Sequence, residues 1–347
     1  MIGTAGLLVT GVAVVILPLF VKKAGDNLEI FLFVMGALAV TVTSQWSLSL
    51  IREALLGPIK ITAAVLGASL LFHFLQLPLE RGIAQLRIRV SSRALVCALI
   101  GLVGLLSSFI TAIIASLILV EAVSRLRLDQ KSETRVVVLA CFSIGLGAAL
   151  TPFGEPLATV AITKLAGTPY HANTWFLLRI LWMYIIPCIA ALCVAGTILI
   201  GRRGTLESPM PREEREVIRS AIVRTIKVYV FVVGLIFLGK GFTPLIDRLV
   251  GAISYLALFW VNITSAVLDN ATLTAAEIVP SMQMRQIVAA LLGLLIAGGM
   301  LVPGNIPNII AAGKLRIDSR EWAKIGVPIG MAMMIATFIV LFLIQTR

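Results

Sequence analysis

The amino-acid sequence predicts an all-α polytopic membrane protein built as two inverted repeats, each with a re-entrant hairpin and a broken helix. Three observations predict it. Of 347 residues 59% are hydrophobic and 13% charged, with a mean hydropathy of +1.03, where a soluble domain carries about 25% charged residues. Apolar runs long enough to cross ~30 Å of hydrocarbon recur along the chain. The second part of the chain also repeats landmarks of the first in the same order.

The runs span 3–21, 29–47, 55–77, 94–123, 136–163, 175–200, 220–239, 251–279, 287–313 and 325–346. The first has no basic residue before it and Lys22-Lys23 after it. A cleavable signal has the reverse order, so this run is expected to stay as a helix. Runs 94–123 and 251–279 are too long for one upright helix and too short for two spans. Each has small polar residues at its middle: Ser107, Ser108 and Thr111 in one, and Ser265, Asp269, Asn270 and Thr272 in the other. Re-entrant hairpins fit both facts, because non-helical backbone at membrane depth is tolerated where protein or a wet cavity surrounds it. Long tilted helices with polar kinks are the alternative. The longest polar stretch, 201–216, is too short to bury a core of its own.

With two hairpins and eight spans, 21 of the 29 Lys and Arg residues fall on one side, against seven on the other and Arg179 within a span. Cytoplasmic loops carry the excess of Lys and Arg. The expected location is therefore the cell (inner) membrane, multi-pass, with both termini outside. The net charge of +12 follows from these loops and does not predict nucleic-acid binding.

The internal repeat is read from four landmarks. Arg135-Val-Val-Val-Leu-Ala matches Arg285-Gln-Ile-Val-Ala-Ala, and Leu150-Thr-Pro-Phe-Gly-Glu-Pro matches Leu301-Val-Pro-Gly-Asn-Ile-Pro. Both runs reach Lys-Leu, at Lys164 and Lys314, and Pro78-Leu-Glu-Arg parallels Pro244-Leu-Ile-Asp-Arg. The hairpins align through Glu121 and Glu277, both read as surface acids. The expected organisation is N-terminal helices over 1–57, peripheral or scaffold; a first repeat over 58–200; a cytoplasmic linker over 201–219; and a second repeat over 220–347. Inverted repeats with broken helices at the midplane are a common design of secondary transporters.

Each repeat sets two prolines four residues apart around a glycine: Pro152, Gly154 and Pro156, then Pro303, Gly304 and Pro307. Proline removes a backbone donor and clashes one turn back, so two of them unwind the helix. Freed carbonyls and half-helix ends can then hold a small ion; a plain structural kink is the bland alternative. Glu155 and Asp269 are acids inside these segments, and intramembrane acids mark ion or proton pathways unless they snorkel. Asn270, Thr272, Asn305, Asn308, Thr151, Ser107, Ser108 and Thr111 add neutral oxygens. The predicted Na⁺ site comprises Glu155, Asp269, Asn270 and Asn305.

Other features point away from catalysis. No G-x-x-x-x-G-K-[ST] or H-E-x-x-H motif occurs, so neither ATP-driven transport nor zinc hydrolysis is expected. Cys97, Cys141, Cys188 and Cys193 lie in apolar runs without metal spacing and read as small core residues. His73 and Gln76 read as packed polar groups, and Arg179 as a snorkelling one. The chain is expected not to be an enzyme and to need no cofactor.

The order of polar-tipped hairpin, helix broken at T-P-x-G-x-P, then the same inverted, resembles the ion transporter superfamily. That group includes NhaD-type sodium/proton antiporters, arsenite exporters, and citrate and dicarboxylate carriers. The residues behind the resemblance are 150–156, 269–272 and 302–308, and among its members the chain looks most like the short predicted cation transporters. The resemblance implies a homodimer held by a scaffold, and a site formed by Ser107, Ser108, Thr151, Gly154, Asp269, Asn270, Thr272, Gly304 and Asn305. The first hairpin lacks the Ser-Asn-Thr tip of the dicarboxylate carriers, and Glu155 adds negative charge, which favours a cation. The expected function is a monovalent-cation (Na⁺)/proton antiporter, with membrane lipid and a small inorganic ion as partners. The alternatives are a sodium-coupled symporter or exporter of a small anion (carboxylate or oxyanion), and, from another class, a membrane-embedded enzyme or structural subunit.

Overall fold

In a computed structural model of the chain, the described residues are 6–7, 9–14, 17, 21, 27–59, 62–63, 66, 92–126, 128–199, 218–250, 254–268 and 270–345. Asp269, His73 and Gln76 lie outside them. Among the described residues every regular element is helical and there is no strand. The helices are α1 (Leu28–Val42), α2 (Ser92–Ile110), α3 (Ala112–Leu126), α4 (Gln130–Ala148), α5 (Pro156–Lys164) and α6 (Phe176–Leu199). They continue as α7 (Ile218–Val250), α8 (Tyr255–Val261), α9 (Asn270–Glu277), α10 (Met284–Gly298), α11 (Ile306–Leu315) and α12 (Ser319–Gln345). Short 3₁₀ segments cover Asn262–Ala266 and Val302–Gly304, and residues 48–59 are also helical.

Local chemistry sets several of these ends. Asp129 starts α4 by accepting the Ser132 N–H at 3.1 Å, a cap that offsets one unmatched donor of the first turn. Hydrogen bonding from Ser132 holds the Asp129 carboxyl below its usual range. Gln283 and Gln286 cap each other at the start of α10, with the Gln283 N–H donating to Gln286 Oε1 at 2.8 Å. Arg316 ends α11 in the left-handed region, at φ 54°.

Two helices form the centre. In α4 every residue from Val136 to Ala148 is buried, and in α10 every residue from Ile287 to Gly298. A helix that is apolar all round is one enclosed by other elements. Around them pack α2, α3, α6, α8, α9, α11 and α12. The packing is reciprocal: α3 lies against α11, and α9 against α5. The rim helices α6 and α12 turn apolar side chains outward, among them Trp182, Val194, Ile198, Ile335 and Leu343.

Among the described residues three helices are long and apolar enough to cross a membrane: Arg93–Ile110 within α2, Phe176–Leu199, and Ser319–Leu341. Shorter apolar stretches cover Glu29–Val42, Ala112–Ser124, Tyr255–Ala266 and Met284–Gly298, and the apolar part of the long helix α7 is Tyr229–Phe242. Runs 136–163 and 287–313 are interrupted, because proline and glycine in their middles end one helix before the next begins. Run 94–123 divides at Thr111 into α2 and α3, and run 251–279 into α8, a 3₁₀ turn and α9.

The N-terminal helices form a second, smaller core with α7. Val40, Leu50, Ala54, Val233 and Phe237 are buried together there. Lys227 pairs with Glu29 at 2.8 Å, and the Tyr229 hydroxyl donates to Leu55 O at 2.9 Å. The helix α7 begins at Ile218, two residues inside the expected linker.

Helices α2 and α4 run parallel in close register. Ser143 donates to Ile100 O at 2.8 Å and Ser107 to Ile144 O at 3.0 Å. The backbones touch at Gly147, where a Cβ would stand 1.8 Å from Gly104 O. A backbone atom cannot rotate away as a side chain can, so Gly147→Ala must push α2 off α4. Overpacking of this kind costs about 1–3 kcal/mol. The expected result is a lower melting temperature in detergent, read by fluorescence-detected size exclusion, with Gly313→Ala in helix α11 not lowered, because nothing lies within 4 Å of its Cβ position and alanine favours a helix.

Candidate functional site

The interruption between α4 and α5 covers residues 149–155, and that between α10 and α11 covers 299–305. Each is seven residues long, and each ends on a residue with the same extended backbone. Glu155 has φ −153° and ψ 159°, and Asn305 φ −153° and ψ 149°. Glu155 and Asn305 therefore hold the same place in their breaks, whereas matching the prolines sets Glu155 against Ile306. The difference arises because Pro156 takes the first position of α5 while Pro307 takes the second of α11. Proline fits both, since neither N–H has a partner within the helix. The same offset joins Arg135 to Arg285 and Lys164 to Lys314.

The tip between α2 and α3 closes on the first break. Thr111 sits between the helices at φ 71°, a conformation that costs a β-branched residue energy and that clusters at functional positions. Its Oγ1 accepts the Ile114 N–H at 3.4 Å. The Ala112 N–H donates to Gly154 O at 2.9 Å. Ser107 shares its one hydrogen between Gly104 O at 2.6 Å and Ile144 O at 3.0 Å, and Ser108 donates to Gly147 O at 2.7 Å. Thr151 donates to Ser108 O. All three hydroxyls are buried and have committed their hydrogen to carbonyls. What each retains is acceptor lone pairs, which suit a cation and not an anion. Glu155 is 7% exposed, whereas Phe153 in the same break is 60% exposed.

The second break is more enclosed: Leu301, Val302, Pro303 and Gly304 are all buried. Asn308 reaches back from α11, donating Nδ2–H to Gly298 O at 2.8 Å and to Leu301 O at 2.9 Å. Its Oδ1 is buried without a hydrogen-bond partner. At Gly304 a Cβ would meet Gly298 O at 2.5 Å and the carbonyls of Ala266 and Ser265 at 2.9 Å each. Three carbonyl oxygens, one from the end of α10 and two from the 3₁₀ segment Asn262–Ala266, thus lie beside one glycine. Asn270 is buried near Gly298, and its Oδ1 accepts the Ser265 hydroxyl. The Thr272 backbone lies in α9; its side chain is outside the description.

The central helices link the two breaks. Asn305 Oδ1 accepts the Ile306 N–H at 2.8 Å, and its Nδ2 lies against Gly145 of α4. Cys141 Sγ stands 3.7 Å from Pro307 O. The described contacts gather Ser107, Ser108, Thr111, Thr151 and Gly154 at the first break, and Asn270, Gly304 and Asn308 at the second.

One acid departs from its expected place. Glu277, read as a surface residue from nearby basic residues, is 2% exposed. The end of α9 packs on α10, and Asn262 Nδ2, from the 3₁₀ segment after α8, donates to Glu277 Oε2 there at 2.9 Å. Asn262 was not singled out from the sequence, although an amide within an apolar run is a signal in itself. Glu121 is half-buried, and Arg179 is exposed and donates to Asn173 Oδ1 at 3.0 Å. Among the described residues no three His, Cys, Asp or Glu side chains are grouped to hold a metal.

Among curated proteins none matches the chain. A family model described as "Protein of unknown function (DUF1646)" matches residues 4–344. The match runs through both breaks and through α2, α3, α8 and α9, and leaves out only a few terminal residues, so the chain belongs to that family.

Proposed function

We propose that this protein is a secondary active transporter of the cell membrane that exchanges a monovalent cation, sodium foremost, for protons. The observation that carries this reading is the chemistry of the second break. Three carbonyl oxygens converge at Gly304, and the buried Oδ1 of Asn308 has no donor. Buried oxygens that keep a free lone pair, as Gly298 O does beside its one bond from Asn308, are what an alkali cation needs in place of its hydration shell. At the first break Ser107, Ser108 and Thr151 have already spent their hydrogens, which disfavours an anion. Glu155 supplies the charge there, and Asp269 is proposed to supply it at the second.

The architecture fits inverted repeats with re-entrant hairpins. Equal breaks, matched extended caps and reciprocal packing of α3 on α11 and α9 on α5 support a reading as two related halves. Two contacts also agree with the sidedness read from the charges. The Tyr170 hydroxyl bonds to Met282 O, joining loops placed outside, and Arg135 Nη1 bonds to Leu199 O at 3.1 Å, joining ends placed in the cytoplasm. The apolar outer faces of α6 and α12 suit lipid. Helix α7 and the N-terminal helices would serve as the scaffold of a homodimer, as the resemblance to the ion transporter superfamily implies.

The test is a pH dye trapped in proteoliposomes. Na⁺ added outside should raise the internal pH within seconds to minutes, with Li⁺ and K⁺ compared in parallel. Unchanged internal pH with every cation, or a response that requires a carboxylate or oxyanion, would move the protein to the symporter or anion-exporter class.

A further inference from the structure

Asn262 and Glu277 face each other across the two arms of the second hairpin. Asn262 opens the 3₁₀ segment after α8, and Glu277 is the last residue of α9. Glu277 lies seven residues along α9 from Asn270, about 10 Å at the rise of an α-helix, so the pair stands apart from the break site. Asn262 is 0% exposed. One hydrogen of its Nδ2 goes to Glu277 Oε2 at 2.9 Å and the other to Ala290 O at 3.0 Å. Its Oδ1 is buried and accepts nothing.

The elements packed on α9 bring Lys164 from α5, Lys227 and Lys240 from α7, and Arg285 from α10, and the hairpin's own incoming arm brings Tyr255. Arg219, Arg224, Asp247 and Arg248 of α7 have side chains outside the description. Among the described residues none of these charges forms an ion pair with Glu277. A buried carboxylate without a counter-charge is costly, and so is an amide oxygen without a donor. One added proton meets both needs. The acid O–H can donate to Asn262 Oδ1 while Asn262 Nδ2–H continues to donate to Oε2, closing a reciprocal acid–amide pair.

We propose that Asn262 and Glu277 form a proton-binding position in the second hairpin, distinct from the helix breaks, with the proton held between the carboxyl and the amide oxygen. The proton is taken from water and returned to it, with no other bond made or broken. The position rests on the pair's own geometry, whether or not the breaks carry sodium. Opening the hairpin would separate acid from amide and expose the carboxyl, so proton release would accompany that movement.

The test is infrared difference spectroscopy of the full chain in lipid as pH is stepped. A protonated-carboxyl C=O band should be present at neutral pH, shift in D₂O and move with isotope-labelled glutamate in the wild type. Glu277→Gln should remove it, Asn262→Leu should move it, and Glu155→Gln should leave it in place. Absence of a glutamate-dependent band in the wild type overturns the proposal, as does a spectrum in which every such band survives Glu277→Gln, any band removed by Glu155→Gln being that of the break acid. Loss of the band on adding Na⁺ at constant pH also overturns it, because the position would then be a cation site. The wild-type labelling keeps the outcome independent of whether a variant folds.

Discussion

Glu155→Gln is expected to reduce sodium-driven proton movement to that of protein-free vesicles. Glutamine keeps the shape of the side chain and removes its ability to be charged or to carry a proton. At a residue 7% exposed, in the extended cap before α5, that charge is what would attract a cation to the first break in the proposed exchange. A carboxyl cannot hold a proton and Na⁺ together, so apparent Na⁺ affinity in the wild type should weaken as pH falls. Calorimetry from mildly acidic to mildly alkaline pH reads this, and the variant should lose that dependence or keep only what Asp269 contributes. Wild-type flux in Glu155→Gln, with normal melting temperature and size, would remove the acid from the mechanism.

Gly304→Ala should eliminate Na⁺-induced thermal stabilisation. The added methyl would stand 2.5 to 2.9 Å from three backbone carbonyl oxygens, so the hairpin tip must lift from the break. The cost of such a misfit is about 1–3 kcal/mol, and it is imposed where the oxygens are drawn together. Melting with and without Na⁺ separates the two consequences: a lower midpoint reports the misfit, and a vanished Na⁺ increment reports the lost site. Retention of the full increment would show that these carbonyls do not hold the ion.

How far the site is legible in the sequence differs from residue to residue. Pro152 with Pro156, and Pro303 with Pro307, each flank a glycine, and this doubled local pattern marks the interruptions, whereas the single prolines Pro187, Pro244 and Pro328 lie inside continuous helices. The pairing of Glu155 with Asn305 is not legible in this way. Prolines at the first and second positions of a helix are equally acceptable, and only the observed helix ends decide the register. Ser107, Ser108 and Thr151 were visible as small polar residues in apolar runs. That their hydrogens all go to carbonyls depends on how α2 lies along α4.

Composition and local pattern by themselves determine the all-helical class, the apolar runs and the places where proline and glycine interrupt them, because each is a property of a short stretch of chain. Tertiary structure alone decided which polar atoms lost their water. It sealed Glu277 behind Asn262 although basic residues lie near it in sequence, and it left the oxygens of Asn262 and Asn308 without donors. Burial and hydrogen-bond satisfaction are set by segments distant in sequence meeting in space, as when Ala290 of α10 takes one hydrogen of Asn262 and Gly298 one of Asn308.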